Sequence, residues 1–313
     1  MRMGKSFLKG NDMKLNMIGG SSQGDPYVIA SKGKYYMYVT GRDGVGLYVS
    51  SDLKTFEYRG ICFSKEGEKE YWAPSVIELD GTYYMYLSYM GSEENDTHKE
   101  HLILATSVSP EGPFVYHNDL VEPFSIDAHV VQSGKGLYLF YSANDYEAKR
   151  AGTLIKLIKL KNPFETEGEG KVVVRATLDE EIFMKDRFKK GQHWHTLEGA
   201  FYFRKGDYHY LMYSGNCYQN ENYYIGYAVA KGNTDDLLEL SFHKYPNEDT
   251  YCPLIKKNEF ESGTGHNSLL VKDGHYYVIY HGRDNNAQGK GDTRTARIAE
   301  IKADEGRLEV VGR

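Results

Sequence analysis

The sequence predicts an all-β fold, a five-bladed β-propeller that forms a single domain over residues 1–313. A motif of one glycine followed by a tyrosine-rich apolar run occurs five times. An apolar stretch precedes each motif and another follows it, as expected for neighbouring antiparallel strands. The copies are spaced by roughly 50 to 70 residues, close to the length of a propeller blade. They occupy residues 33–39, 81–87, 136–141, 206–213 and 274–280.

The amino-acid composition also favours strands over helices. The 313 residues include 28 tyrosines and 33 glycines but only 8 prolines. Aromatic residues are enriched in strands, and glycine is frequent in the tight turns that join them. A β-sandwich is the competing fold, but it would not require five matching units. The stretch 165–192 is the least regular, and we expect it to contain a long loop near the functional site.

One residue in each unit occupies the same place, eight or nine positions before the glycine of the motif. We interpret this place as the start of the inner strand, and inner strands line the central axis of a propeller. The blades should therefore begin near these positions, and the five side chains should converge at one mouth of the central channel. The five residues are Asp25, Trp72, Asp127, Glu198 and His266.

Three of these five residues are carboxylic acids, which predicts an active site. Crowding three acids raises at least one pKa, and such clusters occur where chemistry requires them. A lone aspartate would be an ordinary turn residue, but turn chemistry does not explain three acids, a tryptophan and a histidine at matched positions. The same cluster disfavours a sugar-binding propeller without catalysis and a propeller that binds other proteins.

Two carboxyl groups beside an aromatic wall suit the hydrolysis of a glycosidic bond. We expect Glu198 to be the general acid, because its bulky aromatic neighbours favour a protonated side chain. Asp25 follows a glycine that leaves room for water or sugar, so it is the expected general base. Asp127 would hold up the pKa of Glu198 and orient it. Acids on separate blades should stand about 6.5–9.5 Å apart, which predicts inversion of configuration.

The sequence resembles glycoside hydrolase family 43, five-bladed propellers that act on arabinose- and xylose-containing glycans. The resemblance covers nearly the whole chain, although Ala128 and Ala200 stand where the family often has proline. It implies the same three roles for the acids. The motifs that carry it are Gly24-Asp25-Pro26, Trp72-Ala73-Pro74-Ser75, Ile126-Asp127, Glu198-Gly199 and Gly265-His266-Asn267-Ser268.

The resemblance also implies that Arg294 contacts the sugar in the innermost subsite. It places His266 near a calcium ion, usually through water. A direct bond from His266 to the metal is less favoured than a water-mediated contact or a hydrogen bond to an acid, because calcium prefers oxygen ligands. His266 is also a candidate for binding the substrate. The chemistry itself requires no cofactor, and a structural calcium ion in the central channel is left open.

Other residues are candidates for binding the substrate. Trp72 is expected to be a wall on which the sugar stacks, since aromatic rings suit the apolar faces of sugars. Trp194 is either a second wall or ordinary loop packing. Arg283 either contacts the substrate or one of the acids, or it is a surface residue.

Charge and cysteine content limit the partners and the compartment. The net charge of -6 argues against a nucleic-acid partner, and no apolar run is long enough to span a membrane. The three cysteines are widely spaced, which favours reduced thiols. The N-terminus lacks a signal-peptide pattern, so we expect a cytoplasmic protein.

The leading hypothesis is an exo-acting α-L-arabinofuranosidase that inverts configuration. We expect short arabino-oligosaccharides as substrates, because a cytoplasmic enzyme would meet imported fragments. The alternative within the same class is a β-D-xylosidase acting on xylo-oligosaccharides. The oligomeric state is left open, including a homo-oligomer.

Overall fold

The structure is a five-bladed β-propeller, which confirms the fold predicted from the sequence. The computed structural model describes residues 13–285, 287 and 293–311. The helices in this described part are three single-turn 3-10 helices, and none is long or apolar enough to cross a lipid bilayer. They are Thr97–Lys99, Asp179–Glu181 and Leu237–Glu239.

Blades I and II are antiparallel sheets. The strands of blade I are β1 (Asn16–Ile18), β2 (Tyr27–Ser31), β3 (Lys34–Val39), β4 (Val45–Ser50) and β5 (Thr55–Phe63). Those of blade II are β6 (Glu68–Leu79), β7 (Thr82–Gly91), β8 (His101–Ser107) and β9 (Val115–Val121). Strands β2 to β5 and β6 to β9 are ordered in their sheets as they are in the chain, and β1 pairs in parallel with β5 at the outer edge of blade I.

Blades III, IV and V repeat this order. Blade III has β10 (Ser125–Ser133), β11 (Gly136–Asp145), β12 (Gly152–Asn162) and β13 (Glu165–Val174), and the short β14 (Ile182–Met184) follows it. Blade IV has β15 (Trp194–Lys205), β16 (Tyr208–Gly215), β17 (Tyr224–Lys231) and β18 (His243–Lys244). Blade V has β19 (Glu261–Lys272), β20 (His275–Asp284), β21 (Thr295–Asp304) and β22 (Arg307–Val310). A short parallel pairing of β12 with β15 joins blades III and IV.

The stretch 165–192 is more regular than the sequence predicted. Its first ten residues form β13, the outer strand of blade III, which pairs along one edge with β12. An edge strand buries little of its surface, so polar residues replace the apolar alternation by which strands are normally detected. A loop does follow β13, and it contains the 3-10 helix Asp179–Glu181 and β14.

The tyrosine-rich strands supply the packing between neighbouring blades. Tyr38 of blade I is fully buried, and its hydroxyl donates to the carbonyl of Pro110 in blade II at 2.7 Å. Tyr86 of blade II repeats the contact with the carbonyl of Pro163 in blade III at 2.9 Å. A buried hydroxyl needs such a partner. The repeated motif therefore fixes each of these blades against the next.

Candidate active site

Each blade has a left-handed backbone residue in its inner strand or, in blade I, just before that strand. The φ angles are 52° at Asp25, 46° at Ala73, 59° at Asp127, 64° at Gly199 and 45° at His266. In blades II to V the pairing of the inner strand shifts register at this point. Such a bulge redirects a side chain, and a non-glycine residue held in this conformation costs about 1 to 3 kcal/mol. The same strained feature thus recurs where the sequence placed its ring of five residues.

Six residues that the sequence singled out meet in one pocket of about 90 Å³. Three further residues, Thr40, Ile126 and Tyr218, complete its lining. We call this the axial pocket, because its residues come from the inner strands or from segments beside them. The six predicted residues are Asp25, Trp72, Asp127, Glu198, His266 and Arg294.

Asp25 is surrounded by groups that favour its charged form. Nη1 of Arg294 donates to both carboxylate oxygens at 3.1 and 3.2 Å, and the hydroxyl of Thr40 donates to Oδ2 at 2.5 Å. Nδ1 of His266 lies 3.4 Å from Oδ1. Burial by itself raises the pKa of Asp25, but the charge of Arg294 and the nearby His266 and His281 lower it well below its usual value. Asp25 is therefore a carboxylate over the whole neutral range.

The surroundings of Asp127 favour its protonated form instead. Its side chain is buried, and burial together with the charges of Glu198 and Asp25 raises its pKa well above the ordinary value. The backbone N–H of Gly199 donates to Oδ2 at 3.0 Å, which opposes this rise only in part. Because Gly199 follows Glu198 directly, this bond also ties the two acidic positions together.

The pKa of Glu198 lies close to neutral pH. Burial and the charge of Asp25 raise the pKa of Glu198, whereas a hydrogen bond from Tyr223 lowers it, and the result is a pKa of about 7. The hydroxyl of Tyr223 donates to Oε1 at 2.7 Å. A carboxyl group with a pKa near the working pH can donate a proton and later recover it.

Tyr223 and His281 connect the two ends of the acidic cluster. Their rings are stacked with centroids 5.6 Å apart and an angle of 10° between the planes. Nδ1 of His281 accepts a hydrogen bond from the backbone N–H of Asp25 at 3.1 Å. Gly265 is required beside this stack, because a Cβ there would collide with the ring of Tyr223. The stack therefore holds Tyr223 under Glu198.

Arg294 occupies the space that the sequence assigned to water or sugar. The expectation was that Gly24 leaves room beside Asp25 for such a molecule. A Cβ at Gly24 would instead collide with the guanidinium group of Arg294, so the glycine admits the arginine. The ring of Tyr218 lies 5.0 Å from the same guanidinium group. The missing side chain at Gly24 thus serves the ion pair with Asp25.

Two of the predicted binding residues lie outside the lining of the axial pocket. Arg283 is buried and donates from Nη1 to the carbonyl of Tyr218 at 2.6 Å, so it supports the loop that carries Tyr218. Trp194 is only 2% exposed and packs against Tyr146 and Phe188, with centroids 5.1 and 5.4 Å away. Its position corresponds to the loop-packing alternative. Trp72 does line the pocket, and its indole N–H donates to Glu70 at 3.2 Å.

The residues around His266 do not fit a directly bound calcium ion. Calcium takes six to eight oxygen ligands, whereas the nearest acids here are engaged with Arg294, Thr40 and Gly199. In the described part of the chain, no group of three or more His, Cys, Asp or Glu residues is placed to hold a metal. No step of the reaction is derived through a metal, and a water-mediated contact from His266 to calcium stays a prediction.

The fold and the pocket together define a class of protein. A five-bladed propeller that gathers three acids and an aromatic wall in an axial pocket has an arrangement that suits glycoside hydrolysis. The particular family follows from the sequence, because the model of glycosyl hydrolases family 43 matches residues 15–307. The chain belongs to this family, which implies glycosidase activity on a carbohydrate substrate.

Three known proteins illustrate the similarity. A thermostable family-43 glycoside hydrolase of known crystal structure is 27% identical, with a TM-score of 0.80 and 96% of each chain covered. The extracellular exo-α-(1→5)-L-arabinofuranosidase ArbA of Cellvibrio japonicus is 24% identical over 82% of this chain and 78% of its own. An extracellular exo-α-(1→5)-L-arabinofuranosidase of Streptomyces avermitilis is 24% identical over 68% of this chain, and the match spans 43% of that relative.

These relatives overturn the expected location. Both arabinofuranosidases are extracellular, so the expectation of a cytoplasmic protein is wrong. It rested on an N-terminal pattern within residues 1–12, which lie outside the described residues, and on three cysteines, a count too small to identify a compartment. The preference for short imported fragments loses its basis as well.

Proposed function

We propose that the protein is an inverting, exo-acting α-L-arabinofuranosidase. The observation that carries this proposal is the axial pocket, in which a small volume lies against acids held in different protonation states. Asp25 has a strongly lowered pKa and Glu198 has a pKa of about 7. Pairs of carboxyl groups whose environments separate their pKa values are typical acid–base pairs of glycosidases.

The size of the pocket favours release of single terminal sugars. Its volume of about 90 Å³ is small beside the roughly 300–1,000 Å³ of sites that enclose a drug-sized ligand. A small pocket suits a single terminal pentose better than an internal segment of a polysaccharide. Trp72 at the wall offers an aromatic face to the ring. An enzyme with such a pocket removes residues from chain ends or side branches.

The chemistry requires two proton transfers. Glu198 donates its proton to the glycosidic oxygen as the bond between that oxygen and the anomeric carbon breaks. A water molecule forms the new bond to the anomeric carbon from the opposite face and gives a proton to Asp25. Asp127, hydrogen-bonded to the N–H of Gly199, would keep Glu198 oriented, and its interaction with Glu198 favours one shared proton.

Arg294 and Tyr223 would prepare the two acids for these roles. The guanidinium group of Arg294 keeps Asp25 ionised and close to the bound sugar. The Tyr223 hydroxyl prevents the pKa of Glu198 from rising further. The choice of α-L-arabinofuranosides is supported by the two arabinofuranosidases at 24% identity.

A substrate panel tests the proposal. We expect kcat/KM on 4-nitrophenyl α-L-arabinofuranoside to exceed that on the β-D-xyloside by about ten-fold or more, since a pocket shaped for one ring disfavours the other. Digestion of linear arabinan should release arabinose as the first product. A preference for the xyloside would replace the proposal with a β-D-xylosidase, and early release of longer fragments would contradict the exo mode.

A further inference from the structure

A second cavity lies at the same end of the propeller as the axial pocket, between blades III and IV. It has a volume of about 740 Å³ and is lined by parts of three segments, 145–154, 175–177 and 189–195. These segments adjoin the ends of β11, β12, β13 and β15 nearest to Asp127 and Glu198. His195 lines the cavity and precedes Glu198 by three residues on β15, on the order of 10 Å of strand.

The lining of this cavity is strongly basic. It contains five lysines and arginines and two histidines but a single carboxylate, Asp145. The whole chain has the opposite balance, with 38 Lys and Arg against 44 Asp and Glu. The local excess is therefore a property of this site. The five basic residues are Lys149, Arg150, Arg175, Lys189 and Lys190.

The arginines and the lysines differ in their partners. Arg150 donates to Asp179 at 2.7 Å, and Arg175 lies 3.9 Å from Asp145. In the described structure the three lysines have no ion pair and no side-chain hydrogen bond, and all three are exposed. The nearby Asp179 is paired with Arg150, and Asp186 accepts a hydrogen bond from the N–H of Gly191 rather than from one of these lysines. The lysines are available to an anion from outside.

An exposed aromatic shelf adjoins the lysines. Tyr146 is 47% exposed and Phe188 is 53% exposed, and their ring centroids are 6.1 Å apart. The buried ring of Trp194 packs against both, and the guanidinium group of Arg187 lies 5.2 Å from the ring centroid of Phe188. The two rings lie beside the cavity rather than in its lining. Phe188 directly precedes Lys189, and Tyr146 is three residues before Lys149. Aromatic faces bind the apolar faces of sugar rings.

We propose that this cavity is an accessory subsite for a carboxylated sugar. The lysines would bind the carboxylate of a hexuronate unit, and the shelf formed by Tyr146 and Phe188 would support its ring. An inorganic anion would bind to the lysines but would gain no contact with the aromatic shelf. The proposal rests on the proposed function for one point only, namely that the hexuronate belongs to the same glycan as the arabinosyl residue cleaved in the axial pocket.

A charge-reversed variant tests the subsite in catalysis. Wild-type enzyme should release arabinose from an arabinosyl-branched polysaccharide with a galacturonate-containing backbone about five-fold faster than from the same polymer with its carboxyls reduced, at low salt. In K189E/K190E this preference should disappear, while kcat/KM on the neutral nitrophenyl arabinofuranoside stays unchanged. The control K34E/K302E makes the same charge change at exposed lysines outside the cavity and should keep the preference. Equal wild-type rates on both polymers, or a preference kept by K189E/K190E, would overturn the proposal.

Direct binding measurements test the accessory subsite independently of the proposed arabinofuranosidase activity. Trigalacturonate, which carries no arabinoside, should bind the wild type and K34E/K302E in calorimetric titrations. K189E/K190E should bind it at least ten-fold more weakly. Inorganic phosphate should bind much more weakly than trigalacturonate to the wild type. Equal binding of phosphate, or undiminished binding by K189E/K190E, would exclude a hexuronate site. If no arabinoside is cleaved, the proposed function fails, but these titrations still decide the subsite.

Discussion

The axial pocket and the lysine-lined cavity between blades III and IV, which we call the basic cavity, lie at the same end of the propeller. They differ in size and in the exposure of their charged groups. The axial pocket is small, about 90 Å³, and most of its charged groups are buried and bound to one another. The basic cavity is about 740 Å³, and its lysines are exposed on loops. Burial strengthens electrostatic interactions, whereas water and salt screen exposed charges.

The difference indicates that the axial pocket serves bond cleavage and the basic cavity serves recognition of the glycan. The strained inner strands hold acids within reach of one another, which perturbs their pKa values and suits bond cleavage. The loops provide exposed charge and an aromatic surface, which suits recognition of a variable glycan. Changes in the axial pocket should therefore affect every substrate, while changes in the basic cavity should affect only acidic ones.

The largest effect is expected for Asp25→Ala. Removal of the proposed base should lower kcat by about 10³-fold or more on every substrate, because the carboxylate that would accept the proton of water is lost. Rates on aryl arabinofuranosides with good and poor leaving groups measure this. Thermal unfolding monitors the fold, since the variant removes the carboxylate of Asp25 to which Arg294 donates. Activity retained in a folded variant would move the base elsewhere.

Glu198→Ala should have an effect that depends on the leaving group. Cleavage of unactivated arabino-oligosaccharides should fall by about 10³-fold, because their leaving oxygen requires a proton. A dinitrophenyl arabinofuranoside, which departs without protonation, should be far less affected, and arabinose binding should persist. Near-normal turnover of the oligosaccharides would remove the assignment of Glu198 as the acid.

Tyr223→Phe should give a smaller and more specific change. The Tyr223 hydroxyl lowers the pKa of Glu198 by bonding to its charged form. Its loss should raise that pKa, so the proposed acid stays protonated to higher pH and the alkaline limb of kcat/KM moves up by about one unit. Tyr38→Phe removes a buried hydroxyl that donates to the carbonyl of Pro110 rather than to Glu198, so this variant should lower the melting temperature and leave the alkaline limb of kcat/KM in place. An unshifted limb in Tyr223→Phe would show that this bond does not tune Glu198.

The sequence predicted the ring of residues because the propeller repeats one local feature. Each blade has a left-handed residue in or just before its inner strand, so a distance of eight or nine positions from the glycine motif identified Asp25, Asp127 and His266 directly. In blades II and IV the left-handed residues are Ala73 and Gly199, one position after Trp72 and Glu198. The repeat therefore located these two to within a single residue.

Residues outside the repeated position could not be found in this way. Thr40 follows the tyrosine-rich strand of blade I, and Tyr218 and Tyr223 lie in the loop between β16 and β17. In a chain with 28 tyrosines, nothing local distinguishes a tyrosine that bonds to an acid from one that fills the core. The purpose of Gly24 was also hidden, because Arg294, the side chain that needs its space, is distant in sequence.

The stereochemistry of hydrolysis tests the central claim most directly. If Asp25 activates water on the face of the sugar opposite to Glu198, the first arabinose released from an α-L-arabinofuranoside must have the β configuration. Proton NMR at early times, before the anomers equilibrate, distinguishes the two products. We predict β-L-arabinofuranose as the initial product, and an initial α product would contradict the assignment of these two acids to opposite faces.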